Sequence, residues 1–338
     1  LLAIAGCAQV VSGSATGRLP APTGQALFAG DVPTYGQTLT EGEVTMLAYM
    51  RALRRIDPCG LVLALKEIGA PTYISGDVGG CFGSIKVAGT ANPSSVGLSL
   101  VLGDLSLEKP EFMVGETPVY HTPNTCAFEF PIALAKLPNA PKLTGPRVPV
   151  LRVVVVDGAR SALSRNCNMA KPVIDVLVKM NPADMPMRDA LGAYPIKMAE
   201  RDPCEILDEY RGRMRELKAP FLGEPFSCRF SLQDSKTQYE LTFRAGVDPP
   251  SRLREDVRDG IEYFHGEDHN GSITACTSMV RLGKPLYARD VPGGAVQEDG
   301  TPERVFIEVL GFAMKDRDCG PTRAMIDKAV QIFRGSFD

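Results

Sequence analysis

Cysteine is the residue type whose spacing carries chemistry in this chain of 338 residues, which holds nine of them. Eight form one ladder of four, written twice. Cys59, Cys81, Cys126 and Cys167 stand 22, 45 and 41 residues apart, and Cys204, Cys228, Cys276 and Cys319 stand 24, 48 and 43 apart. The flanks repeat too: Tyr49 opens YMRALRRIDPC, which ends at Cys59, and Tyr194 opens YPIKMAERDPC, which ends at Cys204. An even thiol count per repeat is the pattern of disulfide formation in an oxidising compartment. Four cysteines allow three pairings, and at this point all three stay open. Four-cysteine zinc is a poorer use of them because no C-x-x-C knuckle is present. A Cys/His nucleophile is disfavoured where each of the eight has a counterpart in the other repeat.

The ninth cysteine, Cys7, follows Leu1-Leu2-Ala3-Ile4-Ala5-Gly6. Ile4-Ala5-Gly6-Cys7 resembles a bacterial lipobox, in which a peptidase cuts before a cysteine that is then lipidated. Small residues at Ala5 and Gly6 suit the peptidase groove, and the apolar start reads as the end of a signal h-region that begins upstream. Acyl chains on Cys7 would tether the protein to a membrane. Elsewhere no stretch approaches the roughly 20 apolar residues of a spanning helix.

Histidine offers little. His121 is alone in its neighbourhood. His265-Gly266-Glu267-Asp268-His269 clusters ligand-capable side chains, but Gly266 and Asn270-Gly271 favour a solvated acidic loop, so no metal site is expected there. No G-x-S-x-G elbow, P-loop or dinucleotide fingerprint occurs, and no cofactor is expected. Gly79-Gly80-Cys81-Phe82-Gly83 reads as tight backbone packing at a strand start. The 40 acidic and 37 basic residues nearly cancel, with no basic stripe, which argues against nucleic acid as a partner. The absence of tryptophan weakens, without removing, a carbohydrate reading.

These residues need elements to position them. Thr40 and Glu43 have capping-box spacing, and Met46, Tyr49, Met50 and Leu53 follow as an apolar stripe that reads as core. Asp57-Pro58-Cys59 and Asp202-Pro203-Cys204 each start a second helix, with aspartate as N-cap and proline at the first helical position. Loss of either cap is expected to cost about 0.5–2 kcal/mol. In the second copy Ile206, Tyr210, Met214 and Leu217 continue the stripe. Strands follow, alternating apolar and polar around Val96–Leu102, Cys126–Phe130 and Cys228–Leu232, with the more apolar 151–156 and 305–310 as central strands. Asn166-Cys167 and Asp318-Cys319 read as starts of a closing helix, with Ile174, Leu177 and Val178 matching Ile326, Ala329 and Val330.

The fold class that results is α+β: two tandem homologous domains, each an antiparallel sheet with helices on one face and two disulfides. Residues 1–40 are the signal-peptide remnant, lipobox and a tether rich in glycine, proline, serine and threonine, with 27–40 packing on the first repeat. Residues 41–183 are the first α+β repeat and 184–338 the second, each large enough for its own core.

The lipobox with Gln9-Val10-Val11-Ser12-Gly13 after it, the D-P-C helix starts and the cysteine-capped closing helices together resemble actinobacterial, mycobacterial-type envelope lipoproteins. Each repeat resembles the disulfide-bonded extracytoplasmic sensor domain of mycobacterial serine/threonine kinases. The resemblance implies consecutive pairing: Cys59–Cys81, Cys126–Cys167, Cys204–Cys228 and Cys276–Cys319. It implies ligand sensing or envelope binding rather than a reaction. The expected function is a membrane-tethered, extracytoplasmic, non-catalytic module that binds an envelope protein, lipid or glycan through a common groove or two equivalent clefts. The alternatives are an envelope hydrolase, which would show perturbed carboxylates in one repeat, and a structural subunit, which would show a large exposed apolar surface.

Overall fold

The computed structural model describes residues 26–87, 93–106, 108–123, 125–157, 167–188, 196–233, 235, 237–246, 249–270, 273–286, 303–314 and 319–336. The first repeat contributes α1 (Glu41–Arg55), α2 (Pro58–Ala64), β1 (Gly69–Gly76), β2 (Gly80–Val87), β3 (Ser94–Asp104), β4 (Phe112–Val114), β5 (Thr117–His121), β6 (Ala127–Pro131), β7 (Arg147–Asp157) and α3 (Ala170–Val178). The second contributes a 3-10 helix (Pro203–Tyr210), β8 (Met214–Lys218), β9 (Ser227–Leu232), β10 (Gln238–Gly246), β11 (Arg254–Arg258), β12 (Ile261–Asn270), β13 (Ile273–Leu286), β14 (Glu303–Met314) and α4 (Gly320–Phe333).

Each repeat holds one antiparallel sheet of seven strands, ordered β1-β2-β3-β7-β6-β5-β4 and β8-β9-β10-β14-β13-β12-β11. Replacing each strand by its counterpart turns one order into the other, so the duplication written in the cysteines is also written in the topology. β7 and β14 take the central place, as their continuous apolar runs require. Register agrees residue by residue: Cys81 opposes Leu98 and Phe82 opposes Gly97, as Cys228 opposes Leu241 and Arg229 opposes Glu240. Alternate residues of each sheet face the helices. Val96, Leu98, Leu100, Leu151, Val153 and Val155 join α1, α2 and α3 in the first core, and Leu241, Phe243, Ile307 and Val309 join α4 in the second.

Local signals place most helices. Thr40 and Glu43 form the reciprocal capping box of α1. Asp57 and Asp202 each accept the backbone N–H of the following cysteine. The second D-P-C helix ends at Tyr210, and the stripe reading fails beyond it: Met214 and Leu217 lie on β8. Gly212, with φ at 66°, turns the chain out of the helix between them. Asn166 and Asp318 lie outside the described residues. α3 starts later than expected, with Met169 at its N-cap, and Cys319 holds that position in α4. Tyr194 also lies outside the described residues, and among those described ahead of Asp202 the second repeat shows a 3-10 turn, Lys197–Glu200.

Four disulfides join Cys59 to Cys81, Cys126 to Cys167, Cys204 to Cys228 and Cys276 to Cys319. The first bond of each repeat ties the D-P-C helix to the second strand of the sheet. The other ties the start of the closing helix to the strand beside the central one, at Cys126 just before β6 and at Cys276 within β13. Closing loops of 22 to 43 residues contributes about 3–4 kcal/mol each in the chain-entropy model.

The repeats are locked together. Leu27 belongs to the first core, while Tyr35 belongs to the second, so the segment before α1 packs on both repeats rather than on the first alone. Gln37 donates to the carbonyls of Leu207 and Tyr210. Leu47 of α1 and Val78 of the β1–β2 turn sit in the second core, and Met185 and Met187 sit in the first. The first core therefore reaches past residue 184.

Each sheet also has an inner strand, β3 or β10, that outruns its neighbour on one side. β2 pairs with β3 only up to Ser99, and β9 pairs with β10 only up to Thr242. Open backbone donors on such an edge need partners. Leu102 N–H donates to the carbonyl of Gly223, in the turn between β8 and β9. At the matching position Ala245 N–H donates to Asp77, in the turn between β1 and β2. Each repeat thus completes the edge of the other with the same turn.

Candidate functional site: the junction between the repeats

One side of the junction is an arginine-rich cavity of about 560 Å³. Three successive features of α1 point there: Arg51, Arg54 and Arg55. Arg51 and Arg55 donate to the carbonyls of Asp31, Ala29 and Ala26, strapping the preceding segment onto the helix. Arg54, with a side chain only 8 % exposed, pairs with Asp202 and donates to the carbonyl of Pro225. Tyr35 donates its hydroxyl proton to the same Asp202 oxygen at 2.6 Å. Burial, followed by the carboxylate of Asp202, pushes the Tyr35 hydroxyl well above its ordinary range. Arg188 holds the carbonyls of Ile56 and Val78. These groups are engaged in joining the repeats. Asp202 is more than a helix cap, because it also neutralises a buried arginine from the other repeat.

The second cavity, about 290 Å³, lies where the two turns meet β3 and β10. Asp77 and Glu224 both line it. They are counterparts, each four residues before the second cysteine of its ladder. Asp77 accepts from Val78 N–H and Ala245 N–H. Burial pushes its carboxyl up, against those two N–H groups. Glu224 is half-buried; its backbone carbonyl accepts Ser227 N–H, but its carboxylate accepts no hydrogen bond from a described residue, because the carbonyl of Gly223 already serves the edge of β3. Burial pushes the Glu224 carboxyl up; Arg244 and Arg152 oppose the shift, while Asp77 and Glu308 add to it. Arg244 Nε lies 2.7 Å from Glu308, and Arg152 Nε lies 2.6 Å from Glu129.

The cavity wall is aromatic on the first repeat's side. Phe82 is 54 % exposed and its ring lies against Gly97, where a Cβ would come within 2.6 Å of it. The matched pair in the second repeat is Arg229 opposite Glu240, with Phe221 stacked over the guanidinium at 3.4 Å. Burial pushes Glu240 up to about 7 although it accepts the N–H of Phe221. Burial likewise raises Glu308. At this matched pair the outer faces of the two sheets have diverged: aromatic and open on one, charged and covered on the other.

The eight ladder cysteines are all in disulfides, and Cys7 lies outside the described residues. Asp57 and Asp202 are caps. The histidine cluster is not the loop expected: His265 and His269 lie on β12, where residues four apart share a face. The longer β13 extends the pairing to Asn270, and Ser278 Oγ lies 3.0 Å from His265 Nδ1. Burial, then Arg323 and Arg258, holds His265 below its ordinary range. His121 ends β5, with Nε2 2.6 Å from the Thr125 carbonyl. Among the described residues no group of three His, Cys, Asp or Glu side chains could hold a metal ion, and no helix is long and apolar enough to cross a membrane. Sequence reasoning missed Phe82, Asp77 and Glu224. Aligning the ladders by cysteine exposes the matched carboxylates, but only the fold shows that one is engaged and the other is not.

Comparison with known proteins gives no match to a family model, a curated protein or a solved structure.

Proposed function

We propose that this protein is an extracytoplasmic binding module, tethered to a membrane through lipid on Cys7, whose ligand site is the cleft at the junction of its repeats. The observation that carries the reading is that cleft. Two joined repeats leave a concave space walled by an exposed aromatic, Phe82, and holding a carboxylate, Glu224, that accepts no hydrogen bond from a described residue. Small-molecule sites have this composition: a mostly apolar concavity with few convergent polar groups, often between domains. Four disulfides are in keeping with an oxidising compartment outside the cytoplasm, and Ile4-Ala5-Gly6-Cys7 supports the anchor. The kinase sensor-domain and envelope-lipoprotein resemblance belongs to this proposal as motif-level support.

The test is capture of envelope protein, lipid and glycan on the purified protein, with Phe82→Ala as the paired control. Ligand retained by wild type and lost by the variant supports the reading, and equal retention sinks it. Intact-mass analysis of the membrane-bound form reads the anchor directly: acyl mass on Cys7 supports it, an unmodified cysteine refutes it.

A second reading, an envelope hydrolase, is favoured by one observation. Glu224, Glu240 and Glu308 all have raised carboxyl pKa values in one repeat, and Glu240 near 7 is suited to moving protons. Glu240 is 4 % exposed under the Phe221 loop, so turnover would require that loop to lift. Turnover of an envelope substrate that Glu240→Gln abolishes without unfolding would establish this second reading.

A further inference from the structure

Resting on the reading of the junction cleft as a ligand site, we propose the class of ligand it takes: an organic cation, an ammonium or guanidinium group on a short apolar stem, with its charge at Glu224 and its stem across Phe82.

Charge is left over at the cleft. Three carboxylates, Asp77, Glu224 and Glu308, and three guanidinium groups, Arg244, Arg152 and Arg188, act on one another there. Two of the cations have carboxylate partners, Arg244 with Glu308 and Arg152 with Glu129, and Arg188 donates to the carbonyls of Ile56 and Val78. Asp77 is held by two backbone N–H groups but has no cation of its own among the described ion pairs. With those pairs set aside, Asp77 and Glu224 face Arg188 alone, and one negative charge remains. A half-buried carboxylate beside a second buried one is unfavourable unless a positive charge joins them. Glu224 is the carboxylate offered to a ligand: Oδ1 of Asp77 already accepts the N–H groups of Val78 and Ala245, whereas the Glu224 side chain accepts no hydrogen bond from a described residue.

The wall selects the rest of the ligand. The outward face of Phe82 is open, and the negative face of an aromatic ring attracts cations and packs against their methylenes. The other repeat shows the same chemistry satisfied internally, where Phe221 stacks on the Arg229 guanidinium at the position matching Phe82. A cavity of about 290 Å³ suits one small group rather than a polymer segment.

The experiment titrates the full chain with butylammonium, butylguanidinium, butanol and butyrate, reading the amide resonances of Gly79, Gly80 and Gly97. The cations should saturate these shifts, with butanol and butyrate at least about tenfold weaker. Glu224→Gln should weaken cation binding at least about tenfold while keeping the thermal melt of wild type or better, and Phe82→Ala should weaken it as well. Affinity should rise from pH 4 to pH 8 as Glu224 ionises. Equal binding of butylammonium and butanol, or unchanged affinity in Glu224→Gln, overturns the inference and leaves the cleft as a binding site. Silence of all four probes at these amides overturns both.

Discussion

Asp57 and Asp202 stand at matched positions and make the same cap, and Asp202 in addition meets Arg54 of the other repeat. Replacing Asp57 by alanine should remove a cap and cost about 0.5–2 kcal/mol in a urea melt. Replacing Asp202 by alanine also leaves Arg54 buried without its carboxylate, and such a break costs about 3–5 kcal/mol. Equal losses at the two sites would show that the Arg54 contact contributes nothing. Glu240 provides the pH dependence. Its carboxyl is near 7 in the fold and at the ordinary value of about 4.5 in the unfolded chain. The unfolded state therefore gives up its proton first, and stability falls as pH rises from about 4.5 to 7, levelling above that. Glu240→Gln keeps an acceptor for Phe221 N–H and removes the charge. It should gain about 2–3 kcal/mol at pH 8 and less than about 1 kcal/mol at pH 5. A gain that does not depend on pH would contradict this origin. Neither residue's full role was legible in sequence: the D-P-C motif shows a cap, but the arginine that meets Asp202 comes from the other repeat.

At the scale of elements, the turn between β8 and β9 is the piece most tightly specified by its partner. Gly223 has φ at 70°, and a Cβ there would lie 2.2 Å from the Leu102 carbonyl oxygen. Alanine would be strained by its own backbone and would also push the turn off β3. Gly223→Ala should cost more than about 1 kcal/mol, whereas Gly212→Ala, also left-handed but with nothing within 4 Å, should cost less. Guanidinium melts of both variants decide it, and the reverse order would refute the docking role. Elements were readable where local chemistry acts alone: the Thr40–Glu43 box, the two Asp-Pro starts and the alternating strands. They were misread where tertiary pairing decides. Met214 and Leu217 keep helical spacing with Tyr210 but pair with β9, and His265 and His269 sit among glycines and acids yet form a strand because β13 is long enough to hold them.

For the molecule as a whole, α1 contributes side chains to both cores and the β1–β2 turn puts Val78 into the second, so the repeats should not melt separately. Calorimetry should show a single transition whose calorimetric and van't Hoff enthalpies agree; two resolved transitions would mean the shared contacts are weak. The tandem α+β architecture was legible from the cysteine ladder, because disulfides impose one spacing on both copies. The way the copies meet was not, since it depends on strand edges that no spacing reveals. That meeting has a history in it. Leu102 and Ala245 are the same position in two copies, and each is served by the other copy's turn. Reciprocal use of one patch is the mark of twofold symmetry between identical subunits. The chain therefore has the form of a homodimer whose subunits are joined in one chain. Joining makes partner encounter intramolecular, at an effective concentration set by the linker rather than by expression level. It also frees the halves from evolving in step: a substitution no longer appears on both sides of the axis. The pair Phe82 and Gly97 on one side, facing Arg229 and Glu240 on the other, is a difference that a symmetric dimer could not have held.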